Sequence, residues 1–132
     1  MLPPRVLIVD DYAIFAEVLK RKLSRSGCEV DVVSSGEQAI ASAQMSLPSI
    51  LILELDLPDM SGIQLLQIFR KTATLGEVPA IIVTGRSEQH LLCAAEAFGV
   101  SRIFIKSRFT LDELIDCICR LQRRRFAFAT DA

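Results

Sequence analysis

The sequence predicts a five-stranded parallel sheet in a doubly wound, three-layer α/β/α sandwich built from five βα units. Three observations predict it. Four apolar runs, "RVLIVD" (5–10), "ILILEL" (50–55), "PAIIVTG" (79–85) and "RIFIKS" (102–107), are short, rich in Ile, Val and Leu, and do not alternate in polarity. That is the pattern of strands covered on both faces. Stretches of helical period separate them, and the order strand then helix recurs through the chain. At 132 residues this is one domain with room for a real core.

Each element has its own signal. After the first run, "AIFAEVLKRKLSRSG" (13–27) sets Ile14, Phe15, Val18, Leu19 and Leu23 on one stripe and ends at Gly27, a helix C-terminal signal. "EVDVV" (29–33) is a weaker strand candidate. "SGEQAIASAQMS" (35–46) opens on Ser35, an N-cap with Gln38 three residues on. Beyond the second strong run, "SGIQLLQIFRKTA" (61–73) repeats the apolar pattern. "SEQHLLCAAEAFG" (87–99) begins at a Ser and ends at a Gly. The last helix, "TLDELIDCICRLQRRR" (110–125), carries acids in its first turns and arginines in its last, which suits the helix dipole. The domain is expected over 1–125, with 126–132 as a tail or the start of a linker.

Composition excludes several classes. The chain is 51% hydrophobic and 23% charged, which is globular rather than disordered. A net charge of −1 gives no electrostatic case for nucleic-acid binding by this segment. No run is long enough to span a membrane. The amino end has a short apolar run before two aspartates and does not read as a signal peptide. Cys28, Cys93, Cys117 and Cys119 form no C-x-x-C pair, and His90 is the only histidine, so a zinc site is not expected. The four cysteines are expected to be reduced thiols, and the chain is expected in the cytoplasm.

Parallel topology brings the carboxyl ends of the strands to one edge, where ligands of such sheets bind. The polar residues there are Asp10, Asp11, Glu54, Thr84 and Lys106. Three carboxylates against one ammonium concentrate like charge unless something compensates it. A hard divalent cation such as Mg²⁺, held by carboxylates, a backbone carbonyl and waters, would do so. Thr84 and Lys106 are donors suited to an anionic group beside that metal. The acidic "DDYA" after the first run would repel a phosphate, which argues against a nucleotide- or flavin-type cofactor binder.

The motifs "VLIVDDYAIF", "LELDLPDMSGIQLL", "IIVTGRS" and "IFIKS" together resemble the receiver domain of bacterial two-component response regulators, over residues 5 to about 123. The resemblance implies a flavodoxin-like fold that accepts a phosphoryl group from a histidine kinase onto an aspartate with Mg²⁺. It implies that Asp10 and Asp11 bind the metal, with Glu54 beside them and the backbone carbonyl of Asp56 as a further ligand. Thr84 is then the switch hydroxyl and Lys106 the lysine that pairs with the phosphoryl group.

The match breaks at the acceptor. In the family the phosphorylated aspartate lies four residues before the proline of the "LP" turn, and Pro58 makes that residue Glu54. One added methylene shifts the carboxylate, and misplacement by about 1 Å can cost on the order of a hundredfold in rate. Three other departures are Gly85 after the switch Thr, Ser107 in place of the proline after the lysine, and Ile103 where a rotating Tyr or Phe is common. Two readings of Glu54 stay open: its charge imitates the phosphorylated state, or it only preserves the pocket's charge pattern. The chain is therefore expected to be an atypical receiver, a signalling and protein-interaction module rather than an enzyme. Its partners would be a histidine kinase or other signalling protein. A homodimer is expected through the surface of Arg86, Glu88, Arg102, Arg108, Asp112, Glu113 and Asp116. The alternative is a phosphorylatable receiver using Asp56 or another nearby residue with Mg²⁺, controlling an attached or partner DNA-binding output domain.

Overall fold

The computed structural model describes residues 3–131, with side chains as far as Arg123. In chain order the elements are β1 (Arg5–Val9), α1 (Ala13–Arg25), β2 (Glu29–Val33), α2 (Gly36–Met45), β3 (Ile50–Leu53), α3 (Gly62–Lys71), β4 (Ala80–Thr84), α4 (Gln89–Glu96), β5 (Arg102–Ile105) and α5 (Leu111–Asp131). The strands form one parallel sheet in the order β2-β1-β3-β4-β5. The order reverses between β1 and β3, so a crevice opens at their carboxyl ends.

The central strands are buried on both faces because alternate side chains feed two separate cores. Leu7, Val9, Leu51, Leu53 and Ile82 pack with Ala39 and Ala43 of α2, Leu65 and Phe69 of α3, and Leu92 and Ala95 of α4. Val6, Ile8, Ile50, Ile52, Ile81 and Val83 pack with Ala16, Leu19 and Leu23 of α1 and Leu114 and Ile118 of α5. Each fully buried Leu or Ile contributes about 1.5–3 kcal/mol of transfer free energy. The unalternating runs in the sequence are this two-sided burial.

Helix ends follow the local chemistry. Ser61 caps α3 in a complete capping box: its side chain accepts from the Gln64 amide, and Gln64 returns a bond to the Ser61 amide. Thr110 and Glu113 do the same at α5. Ser35 caps α2 as expected, but the Gln38 carboxamide reaches back to Ser34 instead. Asp59 adds a second cap there, its two oxygens accepting from the Gly36 and Glu37 amides at 2.8 and 2.9 Å. Gly27 follows α1 with φ 91°, the left-handed geometry that stops a helix at low cost.

Two expectations need correction. Ile14 and Val18 do not join the buried stripe of α1; they are 69% and 42% exposed, while Ala16, Leu19 and Leu23 are buried. The helix rotates the row 16-19-23 toward the sheet, which leaves 14 and 18 on its flank. The last helix does not end near 125 but runs to Asp131, since no Gly or Pro interrupts 111–131. Ala132, at the end of the anticipated tail, lies outside the described residues.

Candidate functional site

β1 and β3 lie side by side, so the residues just past them are neighbours. The Glu54 amide donates to the Val9 carbonyl and the Asp10 amide to the Val33 carbonyl, which extends the sheet ladder by one residue on each strand. Both acids are therefore held by backbone at the β1/β3 crevice and are buried, Asp10 at 4% and Glu54 at 7% exposure. Lys106 follows β5, its amide bonded to the Thr84 carbonyl at 2.7 Å. Its side chain crosses to the acids.

The Lys106 ammonium donates to Asp10 Oδ2 at 2.8 Å and to Glu54 Oε1 at 3.2 Å. It also lies 5.6 Å from the Tyr12 ring centre and 5.1 Å from that of Phe15. Two carboxylates and two π faces thus surround one cation. Burial works against the charged Lys106, but the hydrogen bond to Asp10 and the charges of Asp10 and Glu54 raise its pKa above the ordinary lysine value. Burial pushes the Asp10 carboxyl up, and the bonds from Lys106 and the Tyr12 amide offset only part of that. The 2.9 Å bond from the Tyr12 amide fixes the second Asp10 oxygen.

The extra methylene of Glu54 has a visible consequence. Its Oε2 folds back over its own loop and accepts from the Leu55 amide at 2.6 Å and the Asp56 amide at 3.3 Å. With Oε1 on Lys106, both oxygens of the carboxylate are engaged. The start of α3 presses on this loop from behind: a Cβ at Gly62 would collide with the Glu54 carbonyl oxygen. Glycine is required there by close approach rather than by φ.

The other anticipated residues divide. Thr84 is fully buried, yet its Oγ1 accepts from the Arg86 amide at 3.1 Å, and among the described residues no hydrogen bond joins it to Glu54. Asp11 is exposed. The Asp56 side chain leaves the pocket and pairs with Arg86 at 3.0 Å. Ile103 is half-buried and packs on the core of α2, α3 and α4. Ser107 takes φ 77°, so the β5–α5 turn is made by a left-handed serine, and no described peptide bond is cis.

Asp10, Asp11, Glu54 and the Asp56 carbonyl are hard oxygen donors of the kind Mg²⁺ takes. They are not drawn together as a ready set: among the described residues no group of three or more acids, thiols or imidazoles converges to hold a metal. The cation between Asp10 and Glu54 is the chain's own Lys106.

Four side chains carry roles that the sequence motifs do not announce. Tyr12 enters the sequence motifs only within "DDYA" and Phe15 only as part of an apolar stripe, although two rings close behind an acid pair are a cue for cation–π contact. Arg86 was placed on an outer surface, and nothing in the local sequence ties it to Asp56. Arg70 acts away from the site, at the amino ends of the strands: its guanidinium donates to the carbonyls of Phe98 at 2.7 Å, Val78 at 2.7 Å and Gly76 at 3.3 Å, pinning the loops that precede β4 and β5.

A model of the response regulator receiver domain matches residues 6–118. The transcriptional regulatory protein PrrA of Mycobacterium leprae is 32% identical over 129 residues, covering 98% of this chain and 54% of that protein. The phosphate regulon transcriptional regulatory protein PhoB of Rhizobium meliloti is 31% identical over 121 residues, covering 92% of this chain and 53% of that protein. The chain thus spans about half the length of the curated relatives it matches. Among solved structures, the receiver domain of a Francisella response regulator superposes with a TM-score of 0.82 at 26% identity, covering 92% of this chain and 98% of that one. Matched over nearly its whole length in sequence and in fold, the chain belongs to the response regulator receiver domain family of two-component signalling.

Proposed function

We propose that this receiver domain acts as a signalling and protein-interaction module without conventional aspartyl phosphorylation. One observation carries the reading: the acid at the acceptor position is Glu54, and both of its oxygens are committed, to Lys106 and to the Leu55 and Asp56 amides. A nucleophile must be free, in line and about 3–3.5 Å from the reacting atom. Glu54 is longer than the aspartate the pocket is shaped for, and its second oxygen turns away into the loop.

The same geometry supports half of phosphoryl mimicry. Glu54 takes the Lys106 contact that a phosphoryl group would take, while Thr84 stays on the Arg86 amide. One carboxylate charge set against the nearly two of a phosphoryl group also pulls more weakly. Glu54 therefore holds the Lys106 side of the pocket and leaves the Thr84 side unswitched. Mg²⁺ would be held by Asp10, Asp11 and the Asp56 carbonyl, and weakly, because it must share Asp10 and Glu54 with Lys106. When bound it would supply charge compensation for an anion at this edge.

The relatives' names point to transcription control through an output domain outside this segment. The partners are then a histidine kinase or another signalling protein in the cytoplasm, with a homodimer contact through α4, β5 and α5. The alternative reading keeps one observation in its favour: the Asp56 side chain is exposed and reachable. Intact mass after incubation with a small phosphodonor and Mg²⁺ separates the two. No adduct on the wild-type chain supports the proposal. An adduct that disappears in Asp56→Asn would replace it with the alternative.

A further inference from the structure

Arg86 sits two residues past Thr84 and does three things at once. Its Nη1 binds Asp56 Oδ1 at 3.0 Å, its Nε binds Glu88 Oε2 at 2.7 Å, and its amide donates to Thr84 Oγ1 at 3.1 Å. Asp56 belongs to the β3–α3 loop, anchored by its bridge to Ser61 and by its amide on Glu54. Glu88 is the N-cap residue of α4, but its side chain makes no capping bond and is spent on Arg86 instead. The guanidinium therefore ties the entry of α4 to the loop that follows Glu54.

From this geometry we propose that Arg86, with Asp56 and Glu88, forms an electrostatic clasp that closes the β4–α4 loop over the acid pocket and keeps the Thr84 hydroxyl off Glu54. The fixed guanidinium holds the Arg86 amide in place, and that amide holds Thr84 Oγ1. Gly85 lies between them, where an added Cβ meets nothing within 4 Å, so no neighbouring side chain wedges the loop at that residue. With the clasp open, the Thr84 hydroxyl is free to turn and donate to Glu54. Arg86 is a positioning residue in this scheme, and the switch is worked by an ion pair between two loops. All three charged groups are exposed, which makes the clasp easily opened and sensitive to salt.

The test is backbone amide exchange and the Thr84 methyl resonance in the full chain, compared between wild type, Arg86→Gln, Asp56→Asn and the double variant. The amides to follow are Arg86, bonded to Thr84, and Leu91 and Leu92, bonded to the Glu88 carbonyl. Exposed ion pairs predict exchange about two- to fivefold faster in Arg86→Gln. The double variant should be no faster than the quicker single one, because both break the same bridge. Arg86→Lys, which keeps charge but loses the fork, should fall between wild type and Arg86→Gln. The Thr84 methyl signal should move in Arg86→Gln, and high salt on the wild type should move it the same way. Unchanged exchange and an unmoved methyl signal in Arg86→Gln would overturn the clasp, as would strictly additive effects in the double variant. The proposal rests on the unphosphorylated pocket described above. These readouts need no phosphoryl group, so they stand or fall separately from whether Glu54 accepts one.

Discussion

Lys106 is the residue on which the pocket's charge balance turns. Its ammonium is the only cation bonded to Asp10 and Glu54 among the described residues, and both acids are buried. Lys106→Met should leave two like charges facing each other in a crevice. Removing one partner of a fully buried pair costs about 3–5 kcal/mol. Lys106 keeps 22% of its side chain exposed, so the loss expected in urea unfolding is smaller, about 2 kcal/mol. Asp10→Asn in the same background should recover part of it by removing one of the two charges, and a larger loss in the double variant would contradict this picture. Arg70 is the other residue of this kind, though its work is structural. Arg70→Met leaves the carbonyls of Phe98 and Val78 without their charged donor and should cost about 2–3 kcal/mol by the same measurement.

At the scale of elements, two short segments carry the site. The β3–α3 connection is fixed by Gly62, whose missing side chain lets α3 lie against the Glu54 carbonyl. Gly62→Ala must push backbone apart and should cost about 1–3 kcal/mol. It should also shift the amide signals of Leu55 and Asp56, which hold the Glu54 carboxylate. The β5–α5 turn holds a serine at positive φ, a geometry that costs an L-residue about 1–2 kcal/mol. Ser107→Gly should therefore raise the melting temperature, and a drop would mean that the hydroxyl matters more than the backbone. Much of this scale was legible in sequence, because unalternating Ile, Val and Leu runs and a Ser N-cap at residue 35 encode local energetics. What was not legible depends on contacts distant in sequence: the rotation of α1 that exposes Ile14 and Val18, the Asp59 cap on α2, and the Arg86 bridge to Asp56. A heptad or capping pattern says nothing about which loop an arginine will meet.

Over the whole molecule, the titrating groups give the stability a definite pH shape. Asp59 has its pKa lowered by the Glu37 and Gly36 amides it accepts from, so its contribution is full above the ordinary carboxyl value of about 3.9 and is lost as pH falls through its folded value. Lys106 has its pKa raised, so its contribution is full below about 10.4 and is lost as pH rises through its folded value. Asp10, raised by burial, works in the opposite sense: its ionisation on rising pH costs stability. Urea unfolding between pH 3 and 11 should show an alkaline limb that flattens in Lys106→Met and an acid limb that flattens in Asp59→Asn. An unchanged alkaline limb in Lys106→Met would place that titration elsewhere. Parallel topology made one contact readable, since it brings Asp10, Glu54 and Lys106 to one edge, where the ammonium bonds both acids; that Thr84 turns to the Arg86 amide and Asp56 to Arg86 was not readable. Nor was which oxygen binds which donor, because that is decided by side-chain rotamers and by one methylene. That methylene is the centre of the functional claim. The most direct test is intact mass of wild type and Glu54→Asp side by side, each incubated with a small phosphodonor and Mg²⁺. The expected result is no adduct on the wild type and a single phosphoryl adduct on Glu54→Asp. An adduct on wild-type Glu54 itself would contradict the claim.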